Sequence, residues 1–147
     1  MDKINCISGA KLTPLRKIEN PLGDVLHAMK NSDIGFAGFG EAYFSTIKYG
    51  VIKPWKKHLR MTLNLVVPIG EIRFVLYDDR EGSFTKERFM DINLSQDNYH
   101  RLTVPPGIWV GFKGEGNSIN MLLNLADLEH DPLEVVRTNI DKINFKW

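Results

Sequence analysis

From Lys56 to Asn64 the chain alternates polar and apolar residues with a period of two. The even positions are Lys56, His58, Arg60, Thr62 and Asn64, and the odd positions from Leu59 are Leu59, Met61, Leu63 and Leu65. A strand sends successive side chains to opposite faces, so this pattern predicts one strand with a polar row in front and an apolar stripe behind. Such a row is either the solvated face of an antiparallel sheet or the lining of a barrel mouth, where a few placed polar groups read a ligand.

The flanking segments are punctuated in the same style. Glu41 to Lys48 alternates as a strand and is closed by Tyr49-Gly50. Pro68-Ile69-Gly70 reads as a turn, and the β-rich run Glu71 to Asp78 follows it, so residues 59–78 are expected to form a hairpin. Further strands are expected at Phe89–Leu94, Tyr99–Val104, Ile108–Lys113 and Ile119–Leu125, separated by charged, proline-rich or glycine-rich turns. Three glycines between Gly35 and Gly40 have the spacing of neither phosphate-binding loop fingerprint and mark a loop before a strand. Asp24 to Met29 fits a helical turn or a strand. Asp131-Pro132-Leu133-Glu134 carries a cap followed by a proline at the first helical position, the signature of a brief helix. Many short strands at intervals of roughly ten residues define an all-β sandwich or barrel.

Composition narrows the picture. A chain of 147 residues makes one domain, 1–147, with residues 1–22 as an N-terminal arm. The net charge of +1 argues against nucleic acid or a membrane surface as partner, while leaving room for a local anion site. The start Met-Asp-Lys-Ile-Asn-Cys lacks the apolar run of a secretion signal, and the expected compartment is the cytoplasm. Cys6 excludes an internal disulfide and a multi-cysteine zinc site, and is expected to be a buried or half-buried side chain. No histidine pair offers a His-x-His-plus-glutamate ligand pattern, so a metal is not expected. His27 and His130 read as surface residues. Trp55 and Trp109 are either packing groups or stacking groups for a nucleotide ring.

The order of the motifs adds a resemblance. Lys-Pro-Trp-Lys-Lys-His, Pro-Ile-Gly, Tyr-Asp-Asp-Arg, Asn-Leu-Ser-Gln-Asp-Asn, Val-Pro-Pro-Gly-Ile-Trp-Val-Gly-Phe and Asp-Pro-Leu-Glu follow one another between about Gly23 and Trp147. This series resembles the dTDP-4-dehydrorhamnose 3,5-epimerase family, cupin jelly rolls that act on nucleotide-linked 4-keto sugars. The resemblance implies a cofactor-independent epimerase or isomerase of deoxysugar or polysaccharide synthesis, with a dTDP-sugar as substrate. It further implies a homodimer in which the N-terminal arm is exchanged. The alternative is a non-catalytic cupin that binds a nucleotide sugar or regulates a partner enzyme.

Laid on the family pattern, Lys53 takes the place of an arginine, Lys56 that of the catalytic histidine and His58 that of a glutamine. Val110 replaces a second histidine, and the family's acidic tyrosine falls near Leu123. Asp141 stands at the interval of the aspartate that supports the base. Proton abstraction beside a ketone needs a base of near-neutral pKa and stabilisation of the enolate oxygen. The candidates are His58, with an ordinary pKa of about 6.5, oriented by Asp141, and Lys56, if burial and like charge lower its amine from about 10.4. His58 otherwise serves as a hydrogen-bonding mouth residue. Lys53, Lys56 and Arg60 are expected to hold a diphosphate, with Thr62, Asn64 and Trp109 completing the substrate contacts.

Overall fold

The computed structural model describes residues 6–147; the first five residues of the expected arm, and with them the reading of a missing secretion signal, lie outside the described residues. Cys6 is exposed, against the expectation of burial; its neighbour Ile7 is the first of the described residues to pack into the core. Among the described residues the strands are β1 (Lys11–Pro14), β2 (Lys17–Ile18), β3 (Val25–Leu26), β4 (Glu41–Ile47), β5 (Ile52–His58), β6 (Leu63–Ile69), β7 (Glu71–Asp78), β8 (Phe89–Ser95), β9 (His100–Val104), β10 (Ile108–Gly114), β11 (Asn120–Ala126) and β12 (Val135–Arg137). Two five-stranded antiparallel sheets, ordered β1-β9-β6-β11-β4 and β12-β5-β10-β7-β8, enclose the core. This is an all-β cupin jelly roll. The part of the arm at β1 pairs with β9 of its own chain, and β2 pairs with β3 as a small separate ribbon.

The inner faces interdigitate. Ile72, Phe74 and Leu76 recur at every second position of β7 and are fully buried, meeting Leu63, Leu65 and Leu122 from the opposing sheet. Period-two burial is what a pleated strand requires, and each such side chain contributes about 1.5–3 kcal/mol by leaving water.

A second apolar layer lies on the outer face of β5, β10 and β7. Trp55, Val75, Trp109 and Ile143 are buried there, packed by Phe145 and Trp147 of the C-terminal segment. The Trp55 and Trp147 rings are 5.5 Å apart, and a Cβ on Gly111 would sit 3.1 Å from Trp147 and 3.2 Å from Trp55. A glycine in β10 therefore makes room for both indoles.

Two sequence expectations fail for one reason. Residues 59–78 do not form a hairpin, because β6 and β7 belong to different sheets. Each already has two partners: β6 lies between β9 and β11, and β7 between β10 and β8. The turn at Gly70 carries the chain across the sandwich with φ of +79°, and a Cβ there would lie 2.4 Å from the Ile119 carbonyl. A left-handed backbone in so tight a place selects glycine. The polar row is likewise not one strand: β5 ends at His58, and residues 59–62 pass from one sheet to the other before β6 begins.

Candidate active site

Between the sheets lies a cavity of about 440 Å³. Its floor is apolar, formed by Leu63, Leu65, Phe74, Val110, Phe112 and Leu122. Lys53, Lys56, His58, His130 and Arg137 line its walls, and no acidic side chain does among the described residues.

β5 supplies three of these groups through an irregularity. Lys56 pairs with Val110 and Lys53 with Phe112, so Pro54 and Trp55 together face the single residue Gly111. Two residues opposite one is a bulge, which resets the alternation. Lys53 and Lys56, three apart and split to opposite faces by plain alternation, thus share the cavity wall, while Trp55, which also borders the cavity, packs its ring into the aromatic layer. Lys53 donates to the Thr46 carbonyl at 2.8 Å and lies 5.7 Å over the Phe112 ring. Burial, followed by the charges of Arg137 and Lys53, pushes the Lys56 amine below its ordinary value.

His58 is held by a partner that the sequence did not indicate. Its Nδ1 bonds to Oε1 of Glu134, a carboxylate only 2% exposed. Glu134 closes the capped turn Pro132–Glu134, in which Asp131 Oδ1 accepts the Leu133 N–H at 3.0 Å, as its cap-and-proline signature predicts. The other oxygen, Oε2, accepts the backbone N–H groups of Arg60 and Met61, each at 3.1 Å. The Glu134 carbonyl accepts from Leu59 N–H at 2.7 Å. One residue therefore clamps the sheet crossing and orients the imidazole. Burial drives the Glu134 carboxyl upward, but the hydrogen bonds from His58, Arg60 and Met61 outweigh it and hold the group below its ordinary value. A carboxylate on Nδ1 fixes the tautomer in which Nδ1 carries the proton and Nε2 keeps its lone pair. That is the arrangement of a general base.

Of the sequence candidates, Lys53, Lys56 and His58 share the cavity, and the others are placed elsewhere. Asp141 is exposed in the turn Ile140–Lys142, and Glu134 occupies the place beside His58 that was expected of it. Arg60 projects outward with its side chain 63% exposed, 3.2 Å from Asp131. Thr62 gives its N–H to Asp127 at 2.8 Å within the crossing. Asn64 faces away from the cavity, donating to the Gly35 carbonyl at 3.0 Å and accepting from the Thr103 hydroxyl at 2.5 Å. Trp109 lies in the outer layer, its Nε1–H given to Asp79 at 2.8 Å and its ring covered by Lys57 at 4.7 Å. The break after His58 accounts for Arg60, Thr62 and Asn64, since the period of two does not survive a change of sheet.

Sequence reasoning missed Arg137, Thr138, Asn124, Tyr43 and Ser45, which also line the cavity. Arg137 comes from β12, whose pairing with Lys56 of β5 brings the cation in. Tyr43 and Asn124 are partners in register on β4 and β11, and the Asn124 amide donates to the Tyr43 hydroxyl at 2.8 Å. The family position assigned to the tyrosine, Leu123, is one residue away and faces the other side of β11, whereas Asn124 faces the cavity. The alternation of β4 held the signal for Tyr43, but only pairing shows which face is inside. Among the described residues no group of three or more His, Cys, Asp or Glu is placed to hold a metal ion.

Three proteins set this site in context. A dTDP sugar isomerase of solved structure from Desulfovibrio desulfuricans is 39% identical, with TM-score 0.92 over 96% of this chain and 92% of that one. A spore coat polysaccharide biosynthesis protein of Bacillus subtilis is 26% identical over 145 residues, 96% of each chain. A probable low-salt glycan biosynthesis epimerase of Haloferax volcanii is 32% identical over 84 residues, a match that spans 56% of this chain and only 54% of that protein. No protein-family model matches the chain.

Proposed function

The chain belongs to the dTDP-4-dehydrorhamnose 3,5-epimerase-like family of sugar-nucleotide epimerases and isomerases, and from that premise we propose that it moves a proton beside the keto group of a dTDP-linked 4-keto sugar, without a cofactor, in the synthesis of a surface polysaccharide or deoxysugar. The observation that carries this reading is His58, held at Nδ1 by a buried carboxylate on the wall of a cavity that also presents Lys53, Lys56 and Arg137.

In this reading His58 Nε2 takes the proton from the carbon next to the ketone. The electrons of the broken C–H bond form the enolate, whose oxygen is stabilised by the nearby positive charges. Glu134 keeps the imidazole oriented and stabilises the imidazolium that forms. Lys56, Lys53 and Arg137 hold the diphosphate, which as a dianion is drawn to a wall of cations. Arg60, Thr62, Asn64, Trp109 and Asp141 are assigned no substrate contact.

The protein acts in the cytoplasm, where activated sugars are made, and as a homodimer. The edge strand β4 supports self-association: among the described residues it pairs only with β11, and Phe44 is 63% exposed on its outer face. Sedimentation velocity reads the dimer directly.

The test of activity is a panel of nucleotide-linked 4-keto sugars incubated with the protein in heavy water, followed by proton NMR. Deuterium is expected to enter beside the ketone of at least one dTDP-sugar. Binding of the whole panel without exchange would sink the catalytic reading.

A further inference from the structure

Lys53 and Lys56 reach one wall only because of the bulge at Pro54 and Trp55, where the ladder between β5 and β10 is interrupted. An interrupted ladder leaves the direction of its side chains to be fixed by other contacts. Trp55, inside the bulge and next to Lys56, is fixed twice by the stretch that follows Glu134. At the strand edge Arg137 pairs with Lys56, and the Trp55 carbonyl accepts the Thr138 N–H at 3.1 Å. On the outer face the same stretch returns, and the Trp147 ring stands 5.5 Å from that of Trp55.

Trp147 is itself held by groups that have no part in the cavity. The Phe145 ring meets it edge-on at 5.2 Å, and the Arg73 guanidinium, paired with Asp91 at 2.7 Å, lies 5.8 Å over it. Both indole N–H groups, of Trp55 and of Trp147, are buried without a hydrogen-bond partner. A buried donor without an acceptor costs stability, so the pair is held by its shape and not by directed bonds. Gly111 lies opposite the bulge, and its missing Cβ leaves the room that both rings occupy. His58 stands apart from this arrangement, because its support is Glu134 of the turn Pro132–Glu134.

We propose that Trp147 is a positioning residue for ligand binding: through Trp55 it holds the bulge in the form that turns Lys53 and Lys56 to one wall, and so sets the affinity for a nucleoside diphosphate. The inference rests on the reading of that wall as the diphosphate site. The site then has two separately braced halves. An aromatic contact from behind steadies the cations, and a buried carboxylate steadies the base.

The test measures the affinity for thymidine diphosphate by titration calorimetry, and deuterium exchange with a sugar on which the wild type acts. Trp147→Ala is expected to weaken the nucleotide about 10-fold or more and to raise KM to match, while kcat for exchange stays within about 3-fold, because a small misplacement of binding groups is enough for such a loss. Trp147→Phe keeps a ring and removes an unpartnered N–H, and it is expected to bind within about 3-fold of the wild type. Gly111→Ala leaves the other side chains in place and pushes on both indoles, and it is expected to weaken the nucleotide in the same direction with kcat kept. Phe89→Ala removes a ring from the same layer on β8, at the opposite edge of the sheet, and is expected to lower the unfolding temperature without changing the affinity. A Trp147→Ala protein that binds thymidine diphosphate as tightly as the wild type would overturn the proposal; should that variant not fold, the same result for Gly111→Ala would do so. Equal weakening by Phe89→Ala would also overturn it, as would a loss of kcat as large as the loss of affinity. A wild type that binds no thymidine diphosphate would defeat the diphosphate reading and this proposal with it. A wild type that binds the nucleotide but exchanges deuterium with no sugar would defeat the epimerase reading alone, and the affinities would still decide the role of Trp147.

Discussion

Glu134 shows how much one side chain decides. It is 76 residues from His58 in sequence, yet it orients the imidazole and satisfies two backbone donors of the sheet crossing. Its folded carboxyl titrates below the ordinary 4.5. Folding thus favours the ionised form, so its contribution to stability is complete above about that pH and is lost as the pH falls through the lower folded value. Urea unfolding at a series of pH values is expected to show a weaker acid dependence for Glu134→Gln than for the wild type. Glu134→Ala, which strands the Arg60 and Met61 N–H groups, is expected to cost about 2–4 kcal/mol near neutral pH. An unchanged acid profile in Glu134→Gln would show that the carboxylate does not carry this load. His58 and Lys56 were legible in the sequence because they lie on one strand with one periodicity. Glu134 was legible only as the end of a capped turn, since nothing local indicates which distant strand a turn will meet.

Elements reveal where alternation is informative and where it misleads. The strands from β8 to β11 follow their sequence boundaries to within a residue or so, because turn residues with their own geometric demands flank them. The row from Lys56 to Asn64 keeps its period while the chain leaves one sheet and enters another, so the pattern overstates the strand. The bulge at Pro54 and Trp55 has the opposite effect, uniting Lys53 and Lys56 on one wall against their parity. At the end of β7, Asp78 is fully buried and accepts from Arg80 twice through its guanidinium, at 2.9 Å each, and from Ser83 and Thr85 at 2.6 and 2.7 Å. The Arg80 guanidinium, with these hydroxyls, holds the Asp78 carboxyl far below the carboxylate range. The charged turn of residues 78–83 is therefore a folded knot rather than a solvated loop. Asp78→Ala is expected to destabilise the protein by about 3 kcal/mol, read from the urea midpoint, because it leaves the arginine and two hydroxyls without their acceptor. A loss below about 1 kcal/mol would mean that water replaces the carboxylate freely.

At the scale of the molecule, the all-β class follows from strand spacing, and the jelly roll from the order of the motifs. The pairing of sheets did not follow, because β6 and β7 are both buried on two faces and the sequence does not state which neighbours they take. The choice of base depends on that pairing. The expectations for Lys56 and His58 were equal on one strand face, and the fold separates them: His58 has a carboxylate on Nδ1, while Lys56 sits beside Arg137 and Lys53. The measurement that decides is the rate at which deuterium from heavy water enters beside the ketone of a dTDP-4-keto sugar, compared between His58→Ala and Lys56→Met at saturating substrate. With His58 as the base, His58→Ala loses exchange by about 100-fold or more, and Lys56→Met keeps most of it while requiring more substrate to saturate. Full exchange in His58→Ala, with its loss in Lys56→Met, would contradict the account.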